Sequence, residues 1–290
     1  MQLHSNTQVG PGRCIPARCL SLMVAVFLGF MISSAICWAA TFNWPTTPAW
    51  AATGPTNGNT ETVDYGYNAQ GSLRVSVLNS GVTMTAGYPA TAAAGAGNVT
   101  GGVSQASLQL ATNTTSATTS YQQVTISFMY TGGASGVSFT LWDVDATSSG
   151  TVTNGFIDQI SHISATTTTG TTIYPTVTGS PTYNTVAGSG AGITVTGINS
   201  AGNATNQGDV TISFTGQITS LTFQYANIAP GTRSTQYVGI SPINFTPSGV
   251  AFPEVNSSSS ALMLCGGVMG FGLLRRRSHN AERSLCKSDV

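Results

Sequence analysis

The chain has 290 residues with nine basic and nine acidic side chains, so its formal net charge is zero. Between residues 41 and 250 only Arg74 and Arg233 oppose six acids (Glu61, Asp64, Asp143, Asp145, Asp158 and Asp209), and two minus six leaves that region near −4. A phosphate-binding surface needs clustered Lys and Arg, so this balance excludes nucleic acid as a partner. All five cysteines (14, 19, 37, 265 and 286) lie in the two end segments, which leaves the middle without a disulfide, a thiol nucleophile or a cysteine metal site. Roughly 210 residues bury enough apolar surface to fold without such staples.

At the N-terminus Arg13 and Arg18 precede an apolar run over 20–36. A cut after Ala39 places Cys37 and Ala39 at the −3 and −1 positions. This charged, apolar, small-residue order is that of a secretory signal, so residues 1–39 are read as a signal peptide. Residues 40–60 carry Trp44, Pro45, Pro48, Trp50 and Pro55 and read as an N-terminal arm or an edge strand.

From 61 to 248 no amphipathic helical period stands out. Short β-branched and aromatic runs alternate with Gly, Ser, Asn and Thr punctuation. Leu73, Val75 and Val77 share one face; so do Val124, Ile126, Phe128 and Tyr130, and again Val137, Phe139 and Leu141. Further runs follow at 107–110, 193–196, 210–214, 221–225 and 237–245. The polar partner in each run is mostly Thr or Ser, which suits a solvated sheet face. Ten or so strands at this spacing predict one all-β domain, a two-sheet β-sandwich of jelly-roll type. The Ala/Gly-rich stretch 85–102 and the Thr tract 165–172 read as loops or edge turns. The glycines at 188, 190 and 192 precede no helix-forming segment and read as a loop rather than a phosphate cradle.

One constellation carries chemistry: Trp142-Asp143-Val144-Asp145, followed by Asp158 at the start of the next strand. Val144 points away from its two neighbours, so both carboxylates share a face or line one loop. Hard oxygen ligands gathered this way make Asp143, Asp145 and Asp158 a candidate calcium site, the one cofactor the sequence offers. The same aspartates also suit turn capping at a strand end. Trp142, Trp44 and Trp50 are candidate stacking surfaces for polysaccharide. The sole histidine of the middle region, His162, sits in the alternating segment 160–163 and reads as a strand residue, and no Gly-x-Ser-x-Gly elbow is present. No catalytic residue is assigned, and an enzyme is not expected; an extracellular hydrolase is the weakest of the readings.

Residues 249–260 form a linker containing Phe252-Pro253-Glu254-Val255 and a serine spacer. An apolar run over 261–274 follows, closed by Arg275, Arg276 and Arg277; residues 278–290 trail beyond. Fourteen helical residues reach roughly 21 Å, against a hydrocarbon core of about 30 Å. Three arginines favour the cytoplasmic side, so 261–277 reads as a transmembrane helix with an arginine stop and 278–290 as a cytoplasmic tail.

This order of parts resembles the PEP-CTERM sorting signal of Gram-negative envelope proteins, with the variant motif Pro-Glu-Val. The resemblance implies an exosortase-type processing enzyme as partner. It also implies export, insertion in the inner membrane with the C-terminus cytoplasmic, and delivery to the envelope or outside. The segments 139–145, 158–160 and 239–245 are similar to jelly-roll modules of bacterial exported proteins. The expected function is a structural one in the cell surface or a biofilm or exopolysaccharide matrix. The alternative is a carbohydrate-binding or calcium-dependent adhesive module.

Overall fold

The computed structural model describes residues 39–68, 71–113, 120–147, 155–230 and 234–249. The sorting residues Pro253, Glu254, Arg275, Arg276 and Arg277, the apolar run 261–274 and residues 1–38 of the signal lie outside them. Among the described residues no helix is long and apolar enough to cross a membrane.

The described chain is all-β. Its strands are β1 (Ala40–Phe42), β2 (Thr60–Asn68), β3 (Gly71–Ser80), β4 (Thr83–Met84), β5 (Ala90–Ala92), β6 (Ser107–Asn113), β7 (Tyr121–Phe128), β8 (Ala134–Trp142) and β9 (Asp158–Thr167). They continue with β10 (Thr172–Ile173), β11 (Thr176–Gly179), β12 (Asn184–Ala187), β13 (Thr194–Gly197), β14 (Val210–Phe214), β15 (Ile218–Asn227), β16 (Gln236–Ile240) and β17 (Ile243–Pro247). All belong to one antiparallel, strongly curled sheet.

Two runs of strands compose it. The first is β2–β3–β7–β15–β9–β13–β12. The second is centred on β8, which pairs with β14, β16 and β17; β6 extends it beyond β16 and β1 beyond β17. A single pairing, Ile218 with Ala134, joins β15 to β8. Side chains of the two runs meet in one core, where Phe139 of β8 lies 6.1 Å from Phe223 of β15 and Phe128 of β7 lies 5.3 Å from Phe245 of β17.

Period-two alternation explains which residues enter that core. In β7 the inward positions are Gln122, Val124, Ile126 and Phe128; in β8 they are Val137, Phe139 and Leu141. Each fully buried aromatic or branched side chain contributes about 1.5–3 kcal/mol relative to exposure. Residues 40–60 belong to the same core: β1 pairs with β17, and Phe42 and Trp44 pack edge-on to each other and to Tyr65.

The alternation expected through 160–163 breaks. Between the pairings Thr222–Ser164 and Gln224–Ser161, both His162 and Ile163 oppose Phe223 alone, and His162 takes a φ of 53°. This is a β-bulge: the extra residue turns His162 outward and resets Ile163 to the core.

Candidate functional site

The tryptophans expected as stacking surfaces are not on the surface. Trp44 and Trp142 are each 2% exposed, and Trp50 is 8%. The Trp44 indole donates to the Ser241 carbonyl at 2.8 Å, and the Trp50 indole to the Tyr65 hydroxyl at 3.0 Å. Trp142 is enclosed by glycines. A Cβ on Gly101 would fall 2.4 Å from its ring and one on Gly239 2.9 Å from it. A tryptophan amid small-residue punctuation looks exposed in sequence because the glycines that admit it lie on other strands and loops.

The acidic constellation assembles where β8 ends. Asp143 adopts a φ of 65°, a left-handed conformation that aspartate tolerates better than most residues, and it turns the chain off the strand. Val144 is fully buried, while the chain on either side is tied to the 198–209 loop. The Val144 N–H donates to the Gly208 carbonyl at 2.9 Å, and the Ala146 N–H to the Asn199 carbonyl at 3.1 Å. The Ala201 N–H donates to Asp145 Oδ2 at 2.6 Å. Asp158, the first residue of β9, donates its N–H to the Asp145 carbonyl at 2.9 Å and accepts from the Asp145 N–H at 3.4 Å. Asp143, Asp145 and Asp158 are thus brought together and buried, at 4%, 1% and 0% exposure.

Two further residues join them. Asp209, the residue before β14, accepts a hydrogen bond from the Asp143 N–H, and its charge acts on Asp143. Asn184, the first residue of β12, is buried with its Nδ2 3.5 Å from the Val144 carbonyl and 3.4 Å from that of Gly208. The sequence offered one signal for Asp209: it is one of only six acids in the middle region. Nothing distinguished Asn184.

Four of those six acids therefore share one pocket, and the electrostatics follow. Asp143 is raised to about 7, first by burial and then by the charges of Asp145 and Asp209. Burial raises Asp145 to about 6 against the opposing Ala201 N–H, and Asp209 to about 7 against the Asp143 N–H. Asp158 is pushed well above the ordinary carboxylate range by burial and by Asp145 and Asp143. The Oδ1 atoms of Asp143, Asp145 and Asp209 and of Asn184 are buried without a hydrogen-bond partner. The ion pair of the described residues lies elsewhere, between Arg74 and Asp64 at 2.6 Å on β3 and β2. Close as these acids are, among the described residues no group of three or more His, Cys, Asp or Glu side chains is placed so that it could hold a metal ion as it stands.

A groove of about 310 Å³ adjoins the pocket. Ser138, Thr140, Thr211 and Asn244 line it with hydroxyls and an amide, Trp142 supplies an edge, and Asp209 is common to groove and pocket. The chain matches no protein-family model, and no curated protein or solved structure is significantly similar to it. His162 is exposed, with Nδ1 3.1 Å from the Ser161 hydroxyl of its own strand.

Proposed function

We propose that this is an exported, non-enzymatic protein sorted to the cell envelope, where its β-domain has a structural role in the surface or the biofilm and exopolysaccharide matrix. The curled sheet is a two-sheet sandwich of jelly-roll type in this reading, supported by the meeting of its two strand runs at Phe139 and Phe223.

The observation that carries the reading is how outward sheet positions are used. Cross-strand hydroxyl pairs occupy them: Thr62 with Ser76 at 2.8 Å, Thr125 with Thr222 at 3.1 Å and Thr140 with Thr211 at 3.4 Å. A hydroxyl surface exchanges hydrogen bonds with water and polyols and is indifferent to salt, because it holds few charges to screen. Such a face suits residence in a hydrated polysaccharide matrix. The address is supplied by the N-terminal signal and by Pro253, Glu254 and the arginine-stopped run, with an exosortase-type enzyme as processing partner and the membrane as a transient one.

Fractionation of cells expressing the full chain tests this. The protein should partition with envelope and matrix, and the joint change Pro253→Ala and Glu254→Ala should trap an unprocessed, larger form in the inner membrane. Cytoplasmic accumulation of the unaltered chain contradicts the proposal.

A second reading, saccharide binding, is favoured by the hydroxyl-lined groove beside Trp142 and Asp209. A glycan array decides it: saturable binding lost in Thr211→Val supports the groove, and silence across the array leaves the structural role alone.

A further inference from the structure

We propose that the pocket formed by Asp143, Asp145, Asp209 and Asn184 is a calcium site that fastens the 198–209 loop to the end of β8. A buried polar atom without a partner is destabilising, and a charged one more so. Here the Oδ1 atoms of three neighbouring carboxylates are unpaired, and so is that of the adjacent Asn184 amide, which lies against Gly179 of β11. The two oxygens of Asp158 are already engaged, one by the Tyr225 hydroxyl and one by the Asp145 N–H. Asp158 therefore braces the pocket, and Asp143, Asp145 and Asp209 are the carboxylates left for an ion. Asp143 is central, since its charge acts on Asp158 and it feels both Asp145 and Asp209.

The chemistry selects calcium. Its shell of six to eight oxygens accepts carboxylates, amide oxygens and backbone carbonyls in flexible geometry, whereas magnesium demands a near-ideal octahedron and keeps its waters. Calcium does not need three carboxylates already in place. Seated on Asp143, it takes the remaining oxygens as Asp145 and Asp209 turn about their side-chain torsions. The Asn184 amide is the second, independent pointer to a ligand. It lies 2% exposed, with its Nδ2 beside the Val144 and Gly208 carbonyls at distances too long for good hydrogen bonds and its unsatisfied oxygen against Gly179, so a flip of the amide turns that oxygen to the pocket.

The consequence reaches the surface. Asn199, Ala201 and Gly208 already tie the 198–209 loop to residues 144–146. Asn203 of that loop accepts from the Thr100 N–H at 2.9 Å and donates its Nδ2 to the Asn98 carbonyl at 3.1 Å. An ion at Asp145 and Asp209 thus orders two loops and the wall of the groove together. The inference rests on the proposed export only for its supply of calcium. Its test is made on purified protein, so the two can fail separately.

The full chain in detergent is melted in chelator and in calcium chloride, and calcium is titrated by calorimetry. At calcium about 100-fold above Kd the melting temperature should rise by ~5–10 °C, with one-site heats. The double variant Asp145→Asn and Asp209→Asn should lose both responses, yet melt higher than wild type in chelator at pH 7, because neutral amides escape the cost of burying charge and relieve Asp143 of two negative neighbours. Asp64→Asn, whose partner is Arg74, should retain both. If the double variant does not fold, Asn184→Ala must weaken calcium binding by about tenfold or more. An unresponsive wild type, a response surviving in the double variant, or an unchanged Kd in Asn184→Ala overturns the site.

Discussion

The Tyr225 hydroxyl donates to Asp158 Oδ1 at 3.0 Å, joining the buried middle of β15 to the first residue of β9 beneath the acidic pocket. Both residues are fully buried, and burial raises both; the Asp158 charge raises Tyr225 further, whereas the Tyr225 hydrogen bond pulls Asp158 back down. Their ladder pairs Tyr225 with Ile160 and Asn227 with Asp158, so the hydroxyl reaches diagonally across the strands. Tyr225→Phe removes the donor while keeping the ring in the core. It should cost about 1–3 kcal/mol in urea unfolding at pH 7, because a buried carboxyl loses its partner. An unchanged midpoint contradicts this bracing role.

In the absence of calcium, stability should fall as pH rises. Each of Asp143, Asp145 and Asp209 has a folded value near 6–7, above an ordinary 3.8, so the fold favours the protonated carboxyl. The stability this gives is complete below about pH 4 and is lost as pH climbs through 6 and 7. Asp143, buried and held at about 7, opposes the ionised fold by on the order of 4 kcal/mol; the half-buried Asp209 contributes less through solvent screening, and the coupled set gives less than the sum of its members. Melting in chelator from pH 4.5 to 7.5 should show a decline of several degrees. Calcium should flatten it, and a curve rising toward pH 7.5 contradicts the burial of these groups.

Gly197 ends β13 against the backbone of the pocket. A Cβ there would lie 2.0 Å from the Asp145 carbonyl oxygen and 2.2 Å from its carbon, rigid atoms that cannot rotate aside. Gly197→Ala should therefore destabilise by about 1–3 kcal/mol and weaken calcium binding together. Lost stability with unaltered calcium affinity would separate the strand end from the site.

Gly101 holds Trp142 in the same way, at a φ of 56° that itself favours glycine. Gly101→Ala should expel the indole. Trp142 fluorescence, isolated by changing Trp38, Trp44 and Trp50 to Phe, should then shift red and become accessible to acrylamide. Retained blue emission contradicts the enclosure.

Much of the strand content was legible because alternation is local. Val124, Ile126 and Phe128, or Val137, Phe139 and Leu141, declare a buried face within a few residues. The bulge at His162 was not legible, because it exists only where Phe223 of β15 must be opposed by two residues. Strand partners were equally hidden: β15 lies between β7 and β9 through pairings far apart in sequence. The pocket was half legible for the same reason. Asp143, Asp145 and Asp158 are near one another along the chain, whereas Asp209 and Asn184 arrive through β14 and β12. The buried tryptophans misled, since an indole's exposure depends on distant glycines.

Diffraction from crystals grown with calcium tests the central claim most directly. The account predicts anomalous density at about 2.3–2.6 Å from oxygens of Asp143, Asp145 and Asp209, with the Asn184 amide oxygen turned toward it. A pocket whose carboxyls instead hydrogen-bond to one another in saturating calcium, with no such peak, contradicts it.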